Sequence, residues 1–267
     1  MTLTILQYAI GAVAGALVGF TLALVGGGGS ILAVPLIVYV VGVPNPHIAI
    51  GTSALAVAAN AGMNLVAHAR AGNVKWRCAS VFATAGVVGA FFGSTLGKVF
   101  DGQKLLAIFA ILMLIVGVFM LRGRSVTGDA KVALNHENAG KLLLFGACAG
   151  ALSGFFGIGG GFLIVPGLIA ATGMPILNAI GSSLVAVTAF GTTTALNYTY
   201  SGWVDWLLAG VFIGGGLVGG LVGAKLARRL SARRGALNLV LAVLILFVGI
   251  YTLYRSAGSL GAWGERR

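Results

Sequence analysis

Acidic residues are nearly missing from this 267-residue chain, which holds five: Asp101, Asp129, Glu137, Asp205 and Glu265. Charged residues of both signs make up 8% of it, whereas a soluble domain carries about a quarter. No Asp, Glu, Lys or Arg occurs from Met1 to Ala69, and none from Leu142 to Val204. That excludes a water-soluble fold. At about 1.5 Å per residue each run makes roughly 95–100 Å of helix, about three crossings of a 30 Å hydrocarbon core.

Other absences narrow the chemistry. The two cysteines, Cys78 and Cys148, form no Cys-x-x-Cys, so neither a metal site nor a redox pair is indicated and both read as packed thiols. All five acids fall in loops or near interfaces, which speaks against a carboxylate proton relay within the membrane. There is no phosphate-binding glycine loop of the nucleotide-hydrolase kind and no soluble domain, so nucleotide hydrolysis does not drive the protein directly. Ser30 or Ser153 could serve an intramembrane protease as nucleophile, but no His is placed on a deep helix face beside them. No cofactor is expected. Met1–Gln7 lacks the basic start of a cleavable signal, so the first span is expected to stay. The formal charge of +12 marks cytoplasmic loops rather than a nucleic-acid partner.

What the chain does have is glycine in a pattern. Gly26-Gly27-Gly28-Gly29-Ser30-Ile31-Leu32-Ala33-Val34-Pro35 returns 131 residues later as Gly157-Ile158-Gly159-Gly160-Gly161-Phe162-Leu163-Ile164-Val165-Pro166. After a one-residue deletion, Gly51, Ser53, Trp76, Gly86, Gly89 and Gly93 find Gly181, Ser183, Trp206, Gly216, Gly219 and Gly223 at an offset of 130. A near-constant offset over some 80 residues is an internal repeat. Each copy drops glycines and a proline into a long apolar segment. A bilayer tolerates such a break only where the loosened backbone is buried in protein or lines a cavity. Paired breaks in two halves point to a transporter's binding site.

Polar residues on the next helix of each half join that centre. Asn60, Asn64 and His68 recur every four residues on one helical face, with Ser53 on nearly the same face. Ser182, Ser183, Thr193, Thr194 and Asn197 occupy the corresponding helix. Neutral amides and hydroxyls beside helix N-termini suit a small oxyanion, giving it hydrogen bonds without trapping it. The bland alternative is that they bond across helices while the glycines allow close packing. His68 reads as solvated and His47 as a loop residue.

Charge distinguishes parallel from inverted repeats. With five crossings per half, one side collects the basic residues of Arg70–Arg77, Arg122–Lys141 and Lys225–Arg234, leaving Lys98, Lys104, Arg255, Arg266 and Arg267 on the other. The positive-inside rule favours this odd, inverted arrangement, with the linker cytoplasmic and both termini outside.

The glycine segment ending Leu-x-Val-Pro, the helix starts Gly51-Thr52-Ser53 and Gly181-Ser182-Ser183, the turns Gly72-x-Val74-x-Trp76 and Gly202-x-Val204-x-Trp206, and the twofold repeat resemble the sulfite exporter TauE/SafE family over residues 10–255. The resemblance implies a bacterial or archaeal inner-membrane permease moving sulfite, sulfoacetate or a related sulfur-containing anion outward. It also implies a site at Gly26–Ser30, Thr52, Ser53, Gly157–Gly161, Ser182 and Ser183. The expectation is an all-α polytopic membrane protein of two inverted repeats, with about 8–10 membrane segments and a central anion site where Gly/Pro-broken helices meet. The repeats are expected at 1–124 and 141–258, with a cytoplasmic linker at 125–140 and a polar tail at 259–267. The partners are the small anion and the lipid bilayer, and a homo-oligomer is compatible. A small-anion channel with the same lining is the competing function, ahead of an intramembrane enzyme or redox accessory subunit. Asn64→Leu is expected to abolish transport while leaving folding and insertion intact. Wild-type flux in a well-folded Asn64→Leu protein would remove that residue from the site.

Overall fold

The charge-poor runs fold as helices. The computed structural model describes residues 3–122, 135–158, 161–230, 242–243 and 245–256. The first half holds α1 (Ile5–Val25), a 3-10 segment (Gly26–Leu32), α2 (Ala33–Pro35), a π-helical segment (Leu36–Val41), α3 (Pro46–Arg70), α4 (Trp76–Val99) and α5 (Gly102–Arg122). The second holds α6 (His136–Phe156), α7 (Gly161–Thr172), α8 (Ile176–Tyr200), α9 (Trp206–Leu230) and α10 (Ile245–Ser256). Among the described residues six helices are long and apolar enough to cross a membrane, and four shorter apolar helices accompany them. The protein is an all-α, polytopic membrane protein.

Local chemistry sets the ends. Asn45 caps α3 by accepting the His47 N–H at 2.9 Å, with Pro46 in the first turn, where its missing N–H costs nothing. His47 is therefore a helical residue, and its ring stacks on Trp203 with centroids 4.8 Å apart, which corrects the loop reading. Asn135 and Asn138 form a capping box that starts α6 inside the stretch read as linker. Gly72 and Gly202, equivalent in the two halves, both take φ +71, a left-handed turn that glycine enters without strain.

The glycine runs differ from each other. The first does not interrupt the helical backbone but tightens it to 3-10 winding, and beyond Pro35 the chain widens to π-helix. Such irregular turns absorb the hydrogen bond that proline cannot make. The chain then runs back beside α1, with Gly29 against Thr21 and Leu22, and with Gln7 Nε2 donating to Val41 O at 3.0 Å. In the second half α6 instead ends at left-handed Gly157 (φ 66), whose N–H donates to Gly154 O at 3.3 Å. Gly159 and Gly160 lie outside the described residues.

Two seams dominate the packing. In one, Gly15 and Gly19 of α1 meet the backbone of Phe212 and Gly216, while Gly215, Gly219 and Gly223 of α9 meet Ala12, Ala16 and Phe20. In the other, Gly146, Gly150 and Gly154 of α6 meet Phe82, Gly86 and Ala90 of α4. Residue numbers rise together along both seams, so α1 runs parallel to α9 and α4 parallel to α6. Each seam joins a helix of one half to a helix of the other.

α3 and α8 fill the middle: 61% of each apolar span is inside the protein, against 33–39% for the other four long helices. They cross antiparallel. Gly51 lies against Tyr198, Gly191 against Ala54 and Ala58, Gly62 against Thr188, and Gly181 against Asn73, which centres the crossing near Asn60 and Phe190. The start of α1 and the end of α10 share one end of the molecule, since Val41 meets Gln7 and Tyr39 OH lies 3.1 Å from Ser256 Oγ. Large apolar side chains such as Phe92, Val99, Leu144, Val218 and Leu221 face outward, as lipid requires. Cys78 is buried, but Cys148 is exposed, so only the first is a packed thiol.

Gly19→Val and Gly150→Val each insert a side chain where the partner backbone already sits. Each should destabilise the detergent-solubilised protein by about 1–3 kcal/mol or more, read as a lowered thermal midpoint. Gly140→Ala, with open space at its Cβ position, should leave the midpoint level or raised.

Candidate functional site

α3 brings the sequence-predicted amides to the centre of the fold. Asn60 is 1% exposed, and among the described residues neither its Oδ1 nor its Nδ2 has a hydrogen-bonding partner. A buried polar group left unpaired costs about 1–3 kcal/mol, which makes this amide the candidate for a bound partner. Asn64, one turn further, is also buried and donates from Nδ2 to Asn60 O at 3.0 Å. Both amides face α9, Asn60 against Gly216 and Asn64 against Gly220, and Gly19 of α1 closes on Gly216. The result is a seam of three helices that carries the two amides against glycine. A methyl group at Gly216 would overlap the Asn60 amide, so glycine is needed there.

The equivalent place in the second half is filled differently. Phe190 stands where Asn60 would be and lies over Gly86, with its ring stacked on Phe82 at 6.3 Å. The polar centre is one-sided.

Other predicted residues carry structural bonds. Thr52 Oγ1 accepts from Asp205 N at 3.0 Å, and its equivalent Ser182 Oγ accepts from Lys75 N at 2.9 Å. Each hydroxyl thus takes an N–H just ahead of the third long helix of the other half, α9 or α4. Ser53 Oγ donates to Ile50 O at 2.9 Å and to Gly157 O at 3.3 Å, tying α3 to the second glycine run. Ser183 Oγ donates to Ile180 O at 2.8 Å. Ser30 is fully buried in the 3-10 segment, which packs on α7 and α8. Gly26 to Gly29 wind into that segment, and Gly161 opens α7. Thr193 Oγ1 donates back to Ala189 O at 2.8 Å. Thr194 is fully buried, and its Oγ1 has no hydrogen-bonding partner among the described residues.

Asn197 is held away from the seam. Its Nδ2 donates to Ser94 Oγ at 2.6 Å and Thr95 Oγ1 at 2.9 Å of α4, and its Oδ1 accepts from Lys98 Nζ at 2.8 Å. Lys98 also donates to Asn197 O at 3.3 Å and Ser201 Oγ at 3.1 Å, placing a cation over the last carbonyls of α8. Sequence reasoning put Lys98 in a loop. The spacing of Ser94, Thr95 and Lys98 on one face of a helix was the available signal. Tyr198 was also missed: it is fully buried against Gly51, with no partner for its hydroxyl among the described residues.

A buried polar seam between crossing helices of a polytopic membrane protein is an arrangement that membrane transporters use. The sulfite exporter TauE/SafE family profile matches residues 11–252, and the chain belongs to that family. A probable membrane transporter protein of Xylella fastidiosa (strain 9a5c) is 53% identical over 266 residues, covering 98% of this chain and 100% of its own. Similarity extends to a probable membrane transporter protein of Haemophilus influenzae, 31% identical over 71% of this chain and 72% of its own. An archaeal one, from Methanocaldococcus jannaschii, is 27% identical over 67% and 68%. No solved structure matches.

Thr52→Ala and Ser182→Ala each remove an acceptor from a helix-start N–H. Each should lower stability by about 0.5–2 kcal/mol in chemical or thermal unfolding, and the double variant should lose close to the sum because the two bonds lie apart.

Proposed function

We propose that the protein is a secondary transporter that exports a small sulfur-containing oxyanion, sulfite or an organosulfonate such as sulfoacetate, by alternating access between two inverted repeats. The observation that carries this reading is the buried, unpartnered Asn60 amide at the crossing of α3 and α8. It is a neutral hydrogen-bonding group at mid-fold, suited to hold an anion briefly. The antiparallel crossing of these equivalent helices supports inverted repeats. Rocking one half on the other would open the α1–α3–α9 seam to each side in turn. Asn64, Thr194 and the hydroxyls of Thr52, Ser53, Ser182 and Ser183 would line or brace the path, together with the glycines of both runs.

The basic residues support an inner-membrane orientation. Arg70, Lys75, Arg77, Lys141 and Lys225 sit at one end of the bundle, and Lys98, Lys104 and Arg255 at the other. By the positive-inside rule the first end, with the linker, would face the cytoplasm and the termini the outside.

The test is sulfite flux in proteoliposomes, with and without an imposed pH gradient. Saturable flux with counterflow, lost in Asn60→Leu, is expected. Non-saturable flux without counterflow would favour a channel, and equal flux in a well-folded Asn60→Leu would displace the site.

A further inference from the structure

We infer that the anion held at Asn60 is singly charged and carries its own proton donor, a hydrogen-oxyanion or hydroxysulfonate rather than a fully deprotonated dianion. This rests on the proposed transport function and narrows its cargo, since sulfoacetate, doubly charged near neutral pH, falls outside it. The Asn60 amide presents both a donor, Nδ2, and an acceptor, Oδ1, and both are buried with no partner among the described residues. A dianion can accept from Nδ2 only. It would leave Oδ1 unpaired and set like partial charges face to face, a costly arrangement in a low-dielectric site. A monoanion with an O–H satisfies both atoms.

The surroundings favour the same species. Residues 10–25 of α1, 48–67 of α3, 176–197 of α8 and 206–224 of α9 contain no Asp, Glu, His, Lys, Arg, Cys or Tyr, so none of these segments offers a cation to offset a second negative charge. A double charge placed there would pay most of its desolvation cost uncompensated. The same absence means that no titratable group on the three seam helices near Asn60 will imitate a titration of the substrate.

Hydrogensulfite and sulfite interconvert near neutral pH, so the two species can be separated by pH alone. The experiment uses full-length protein in proteoliposomes with equal pH inside and out, stepped from acid to alkaline at fixed total sulfite. The expected rate follows hydrogensulfite, falling about tenfold per pH unit on the alkaline side and staying level when hydrogensulfite is held constant. As a control, 2-hydroxyethanesulfonate is singly charged throughout and bears a hydroxyl, and its rate should stay level. In Asn60→Ser, whose hydroxyl can turn its proton toward a dianion, the sulfite slope should flatten while measurable flux remains. A wild-type rate that tracks total sulfite or the dianion overturns the inference and leaves the transporter standing. So does a parallel fall in the control. Absence of flux for both anions at every pH overturns the transport reading itself, and this inference with it.

Discussion

Backbone-to-backbone contact between helices of opposite halves is the constraint on which the rest depends. Lipid gives helices no hydrophobic reason to associate, so association must come from close packing, and the closest packing needs residues without side chains. The α1–α9 and α4–α6 seams supply it through glycines lying on the partner's main chain. Because each seam joins one half to the other, neither half closes its own core. α3 and α8 are left between the seams, crossing at mid-fold with most of their apolar spans buried.

That central position gives the polar residues of α3 and α8 their meaning. At the lipid face a bare amide would be prohibitively placed, whereas between three helices it is enclosed yet within reach of a moving seam. The two halves do not treat the position alike. Asn60 meets glycine across the first seam, while Phe190 covers glycine at the second. One half offers hydrogen bonds and the other a wall. Repeated folds often keep such a difference where a single ligand has to be held, and here the difference is the feature that departs most from the repeat.

The membrane class, the repeat and the importance of α3 were legible in the chain, because they depend on quantities that sequence carries directly. Those are the charge-free runs, the offset of 130–131 residues and the four-residue recurrence of Asn60 and Asn64. The glycine run at Gly26 was legible as special but not as what it is: residues that permit a break also permit 3-10 winding, and packing against α1 decides. The bonds of Thr52 and Ser182 were not legible, because a hydroxyl in a motif has no visible partner until the fold brings Asp205 N and Lys75 N to it. The place of Asn197 away from the seam was hidden for the same reason, since Lys98 and Ser94 reach it from α4. Long-range partners of this kind leave no periodic trace.

The most direct measurement of the central claim is the thermal midpoint of the purified protein with increasing sulfite, in wild type and in Asn60→Leu. A ligand that binds the folded state raises its stability by about 2.7 kcal/mol at a hundred times its dissociation constant. Sulfite-dependent stabilisation of the wild type that vanishes in a folded Asn60→Leu protein is the predicted result. Equal stabilisation of both proteins would contradict the placement of the anion at the Asn60 seam.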